Sequence, residues 1–203
     1  MLFRSDYDFR RLFFTWTPNI LTEPFSNWVE IASREKTCGM VAACDLWVDD
    51  RGTIHVLWTE RAIDERLREK FFPGERQSHG LYYGTLREGK LAGRRVVAES
   101  REGQRGISGS AGRFQITPEK RLFISYYASG QDEKGVGISE NRVVEVLGED
   151  KLGETATVPL KYPFGSYFTT TPRGGSALSR TLEYFGPRVG SNGRLCYARV
   201  KLY

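Results

Sequence analysis

The chain has 203 residues, a formal net charge of +5, 13% aromatic residues and 22 glycines. That length suffices for one domain with a sizeable core, and the composition suits many short strands joined by tight turns. No run of eighteen apolar residues occurs, which excludes a membrane-spanning helix, and the start at Met1 lacks the basic stretch and apolar core of a secretory signal. The expected location is the cytoplasm, or else the chain is a piece of a longer exported protein.

The excess charge comes from arginine more than lysine. The planar guanidinium fork matches two oxygens of a carboxylate, sulfate or phosphate, so acidic small ligands are the natural partners. The basic residues are scattered rather than gathered in a stripe, which argues against nucleic acid. Cys38, Cys44 and Cys196 are odd in number and form no C-x-x-C, and only His55 and His79 are available to complete a metal site. Free thiols, no metal and no cofactor are expected.

In chain order, the first strand signal is Arg11-Leu-Phe-Phe-Thr-Trp16, which parallels Arg121-Leu-Phe-Ile-Ser-Tyr126 further on. Cys44-Asp-Leu-Trp-Val-Asp-Asp-Arg-Gly-Thr-Ile-His-Val-Leu-Trp58 reads as a hairpin, its turn carried by the Asp and Gly of residues 49–52. Its second strand has apolar groups on both faces, as in a sheet stacked between others, and His55 within it is expected to be a satisfied interior histidine. Residues 62–72 are the one helical candidate, ending at Pro73-Gly74. Residues 81–86 and 91–99 read as the third and fourth strands of this unit.

Residues 112–126 repeat the hairpin without a gap, with Pro118-Glu-Lys-Arg121 at the turn in place of a glycine turn. Residues 141–147 and 155–160 read as the outer strands of that second unit. Residues 163–176 suggest an inner strand and loop, followed by strands at 181–185 and 195–202. Repeats at this spacing indicate an all-β array, a propeller or partial propeller of about four blade-like four-stranded antiparallel units. Their bounds are roughly 1–36, 37–100, 101–160 and 161–203. The first and last units are incomplete, and their unfinished sheet edges invite a homodimer.

The hairpin at 44–58, its copy at 112–127 and the segment at 163–176 resemble the sialidase-like propellers, whose repeats are called BNR or Asp-box repeats. An Asp-box has the form S-x-D-x-G-x-T-W, and Asp50-Arg-Gly52 matches its centre, with Val48 in place of the serine. The resemblance implies a glycoside hydrolase or related protein that grips a sugar carboxylate with arginines and attacks with a tyrosine assisted by a glutamate. On this chain Arg173 is the leading substrate-binding candidate, flanked by Gly174 and Gly175, with Arg61, Arg105 and Arg142 on neighbouring loops. Tyr126 is the candidate nucleophile and Glu140 its base. His79 with Arg61 or Arg105 would instead suit a polysaccharide lyase. The expected function is recognition or processing of an acidic glycan or oligosaccharide at the loop face. The alternative is a non-catalytic propeller module that binds a protein or glycan.

Overall fold

The computed structural model describes residues 8–148, 151–169 and 177–203. These form twelve strands, one short helix and a 3-10 turn at Glu35–Thr37. The strands are β1 (Arg11–Phe14), β2 (Val29–Ser33), β3 (Cys38–Val48), β4 (Ile54–Ile63), β5 (Ser78–Arg87), β6 (Lys90–Arg101), β7 (Ile107–Ile116), β8 (Leu122–Gln131), β9 (Gly137–Gly148), β10 (Lys151–Thr157), β11 (Thr181–Pro187) and β12 (Leu195–Lys201). They make four antiparallel sheets in chain order, β1-β2, β3-β4-β5-β6, β7-β8-β9-β10 and β11-β12, each a simple meander. Among the described residues no closed ring or barrel forms.

The two hairpins that repeat in sequence also repeat in space. Val48 and Ile54 flank one turn, and Ile116 and Leu122 flank the other. In the first turn Asp49 N–H donates to Thr53 O at 3.0 Å and Gly52 N–H to Asp49 O at 3.0 Å. In the second, Thr117 N–H donates to Arg121 O at 3.0 Å and Lys120 N–H to Thr117 O at 2.9 Å. Gly52 has φ +77°, and Lys120 takes the same left-handed position at +63°. The lysine accepts a conformation that a glycine adopts freely, because its turn is otherwise the same.

The two-faced pattern of β4 has the expected consequence. Val56 and Trp58 face the first sheet, in a cluster with Ile31, Ala32, Val41, Tyr82 and Leu86. Leu57 faces the other way, with Leu81, Tyr83 and, from the third sheet, Phe114, Ile124 and Tyr126. The third sheet is two-faced too: Phe123 and Val143 pack towards Phe164, Tyr167, Leu182 and Tyr184 of the last unit. Fully burying each of these large side chains contributes about 1.5–3 kcal/mol, so stacking the sheets is the dominant stabilising term. Gly109 permits the close approach at the central seam, since a Cβ there would lie 2.9 Å from Leu81 Cβ and 3.2 Å from Ala98 Cβ.

Polar pins cross the seams. Asp45 on β3 is buried, and its Oδ2 accepts from Phe114 N–H on β7 at 2.8 Å while Oδ1 accepts from Leu46 N–H. Arg113 returns the contact by donating to Cys44 O at 2.6 Å. At the next seam Asn141 accepts from Phe164 N–H at 2.7 Å and donates to Phe164 O at 3.0 Å. Ser125 Oγ lies within 3.0 Å of Tyr167 Oη and 2.7 Å of Tyr184 Oη.

Several sequence boundaries shift. The helix α1 is only Glu65–Phe71, because Ala62 and Ile63 stay in β4, where Ile63 pairs with Cys38, and Asp64 caps the helix at Arg66 N–H. The strand expected at 155–160 is β10, which ends at Thr157. Val158 leaves the ladder and donates to Asn141 O. In place of a full inner strand at 163–176, the described part makes isolated bridges at Phe164 and Phe168, to Arg188 and Phe185. The three cysteines are free.

Asp45→Ala should cost about 1–3 kcal/mol, because it strands the buried Phe114 N–H without an acceptor. Urea unfolding should show a lower midpoint with an unchanged slope; an unchanged midpoint would remove Asp45 from the seam's supports.

Candidate binding site

The residues expected at the loop end fall into separate groups. Arg61 and His79 are cross-strand partners on β4 and β5. Arg61 is held by Asp8, Nη2 to Oδ2 at 2.7 Å, and Arg66 reaches the same oxygen at 3.1 Å. Burial and then the nearby Arg61 charge push His79 below the usual histidine range. Arg105 donates to Glu133 O at 2.7 Å, in the turn between β8 and β9. Arg142 donates to Glu140 at 2.7 Å.

Tyr126 does sit opposite Arg142, with Glu140 close by, as the candidate nucleophile and base require. However, Tyr126 is only 1% exposed. Burial pushes its hydroxyl up, against smaller opposing effects of Thr155 and Arg142, which is the wrong direction for a phenolate nucleophile. Arg61, Arg105 and Arg142 are thus each engaged by a different protein oxygen. Arg173 lies outside the described residues.

A cleft with a different character opens at the opposite end of the sheets, between the second and third. It has a volume of about 580 Å³, within the range of small-ligand sites. Its floor is Trp47 on β3 and its cross-strand partner His55 on β4. Ile116 and Leu122 form an apolar wall, and the rim carries Arg51 and Lys120 from two turns and Arg87 from the end of β5.

Each part has a local cause. Asp49 Oδ1 accepts from Arg51 N–H at 2.9 Å and Thr53 N–H at 2.8 Å, which fixes the turn that presents Arg51. Burial acts to raise the Asp49 carboxyl, but the Thr53 and Arg51 N–H groups and His55 outweigh it and hold it below the usual carboxylate range. His55 is fixed between sheets. Its Nδ1 lies 2.7 Å from Tyr83 Oη, its Nε2 lies 3.6 Å from Asp49 Oδ2, and its ring meets Phe114 edge-on at 6.4 Å. Arg87 donates from Nε to Thr53 Oγ1 at 3.2 Å, and Lys120 Nζ lies 2.9 Å from Asp50 Oδ2.

Comparison with protein-family models, with curated proteins and with solved structures finds no match. The cleft is therefore read on its own chemistry. An indole beside an apolar wall offers a flat surface for a ring, and a basic rim offers charge-assisted hydrogen bonds to an anion. Among the described residues no group of three or more His, Cys, Asp or Glu side chains is arranged to hold a metal ion.

Sequence reasoning missed Arg51, Arg87 and Lys120. The available signal was the ungapped hairpin repeat itself, which sets Lys120 in the position of Gly52 and so puts two equivalent turns at one end of the stack.

The loop end supplies a pH test. Arg66 donates to Asp64 from its side chain at 2.6 and 2.8 Å and from its backbone, and holds the Asp64 carboxyl down to about 2. A folded value below the unfolded one stabilises the fold above about pH 4, and this contribution is lost as pH falls from there towards 2. Urea unfolding at pH 5 and pH 2.5 should therefore show a smaller acid loss for Asp64→Asn than for the native chain. Equal losses would mean that Asp64 is not an acid-labile point.

Proposed function

We propose that this chain is a non-catalytic, sialidase-like propeller or partial propeller that binds an acidic carbohydrate in the cleft between its second and third sheets. The observation that carries this reading is the juxtaposition of Trp47 with Arg51, Arg87 and Lys120 around one space. A sugar carboxylate matches the guanidinium fork, while the apolar face of the ring rests on the indole. The propeller part of the proposal is supported by the succession of meanders packed face to face in chain order.

Recognition is favoured over processing. His55 is the one titratable group on the floor with the usual properties of a general base, and it is engaged by Tyr83 and Asp49 on opposite sides of its ring. Tyr83 is fully buried and cannot reach a ligand carbon. At the other end, Tyr126 is sealed in the core, and Arg61, Arg105 and Arg142 each bond a protein oxygen. The acidic-glycan partner expected from the sequence is retained, but its place moves from the loop end to the turn end.

Isothermal titration with sialyllactose and with lactose tests the reading. Sialyllactose should bind and lactose should not, with affinity falling as salt is raised. Arg87→Ala and Trp47→Ala should each weaken sialyllactose binding about tenfold or more, the scale of one lost charged or aromatic contact. Equal binding of the two sugars, or variants that bind like the native chain, would overturn the assignment.

A further inference from the structure

The mouth of the cleft carries an ion pair that joins two sheets. Asp50 belongs to the turn between β3 and β4, and Lys120 to the equivalent turn between β7 and β8; their charged atoms are 2.9 Å apart. Neither turn is free to drift. Asp49 ties the first through Arg51 N–H and Thr53 N–H, and the Thr117 N–H and Lys120 N–H bonds close the second. The two charges meet because the seam beneath holds the turns side by side.

Both side chains remain mostly in water, with 56% of Lys120 and 72% of Asp50 exposed. A pair this exposed gains little net stability, since solvent screens it and two flexible side chains lose freedom. It does not need to break the fold to open. We propose that Asp50 is a built-in competitor for the ligand: its carboxylate holds Lys120 while the cleft is empty and yields it to the carboxylate of an incoming acidic sugar. This rests on the reading of the cleft as an acidic-glycan site.

The exchange leaves the charge on Lys120 satisfied before and after, and Asp50 returns to water. A neutral sugar has no charge to offer Lys120 in return, so the exchange is open to acidic ligands alone, at the cost of some of their affinity. Arg51 and Arg87 line the same rim.

Sialyllactose titration of the native chain, Asp50→Asn, Lys120→Ala and the double variant decides the matter. Asp50→Asn should bind about two- to fivefold tighter than the native chain, the scale of one released surface pair. Lys120→Ala should weaken binding more in the Asp50→Asn background than in the native one, because only there is Lys120 unoccupied before the ligand arrives. If the native chain binds but the two substitutions act additively, or Asp50→Asn changes nothing, the competitor is overturned and the cleft stands. Failure of both the native chain and Asp50→Asn to bind overturns both.

Discussion

The structure depends on strands that are apolar on both faces. β4 sends Val56 and Trp58 one way and Leu57 the other, and β8 divides Phe123 from Leu122 and Ile124 in the same manner. Such a strand cannot lie at a solvent face, so the second and third sheets must each be covered twice. The order of the four sheets follows, with the two-stranded units outermost in the chain and the four-stranded ones between them. Burial alone would allow the sheets to slide. The directional contacts of Asp45, Arg113, Asn141 and Ser125 fix the offset. An unpaired N–H in such a seam costs more than the bond contributes when made, which makes these pins specifiers of one arrangement.

The cleft is a product of that offset. Its residues come from turns separated by tens of positions, and it exists only because the central seam brings equivalent turns to one edge. Arg51 and Lys120 belong to different sheets, yet the repeat places them on matching turns with the same backbone conformation. A cleft thus arises from packing two copies of one hairpin, without any insertion.

How much of this is legible in the sequence differs by level. The hairpins, the helix position and the two-faced strands are readable because each depends on neighbours within about twenty residues. Glycine at 52 and the aspartate at 49 announce their turn through side-chain chemistry. The Lys120 turn gives no such sign, and only its alignment with the first reveals it. The same turn chemistry recurs unnoticed at Asp132, whose Oδ1 accepts from Lys134 N–H and Val136 N–H, with Gly135 at φ +83°. Site assignment fails for a different reason. An arginine is written identically whether it faces a ligand or an internal oxygen, and the partners of Arg61 and Arg105, Asp8 and the Glu133 carbonyl, lie 53 and 28 positions away. Loop length at the α1 end suggested function, whereas the long connection there is spent on internal pairing: Asp8 and Asp64 share Arg66, and Glu102 takes Arg68.

The two ends of the stack differ in how their charges are paired. At the helix end Asp8 meets Arg61 and Arg66, and Glu102 meets Arg68. At the turn end the connections are short, and much of their hydrogen bonding closes the turns themselves. Asp49, for example, gives Oδ1 to two backbone N–H groups, leaving Oδ2 facing His55 at 3.6 Å. Lys120 meets Asp50 across the seam, and Arg87 meets Thr53 Oγ1 on its own sheet. The charges on the rim are therefore paired between one hairpin and another, whereas Arg66 at the helix end finds Asp64 two residues away in its own connection.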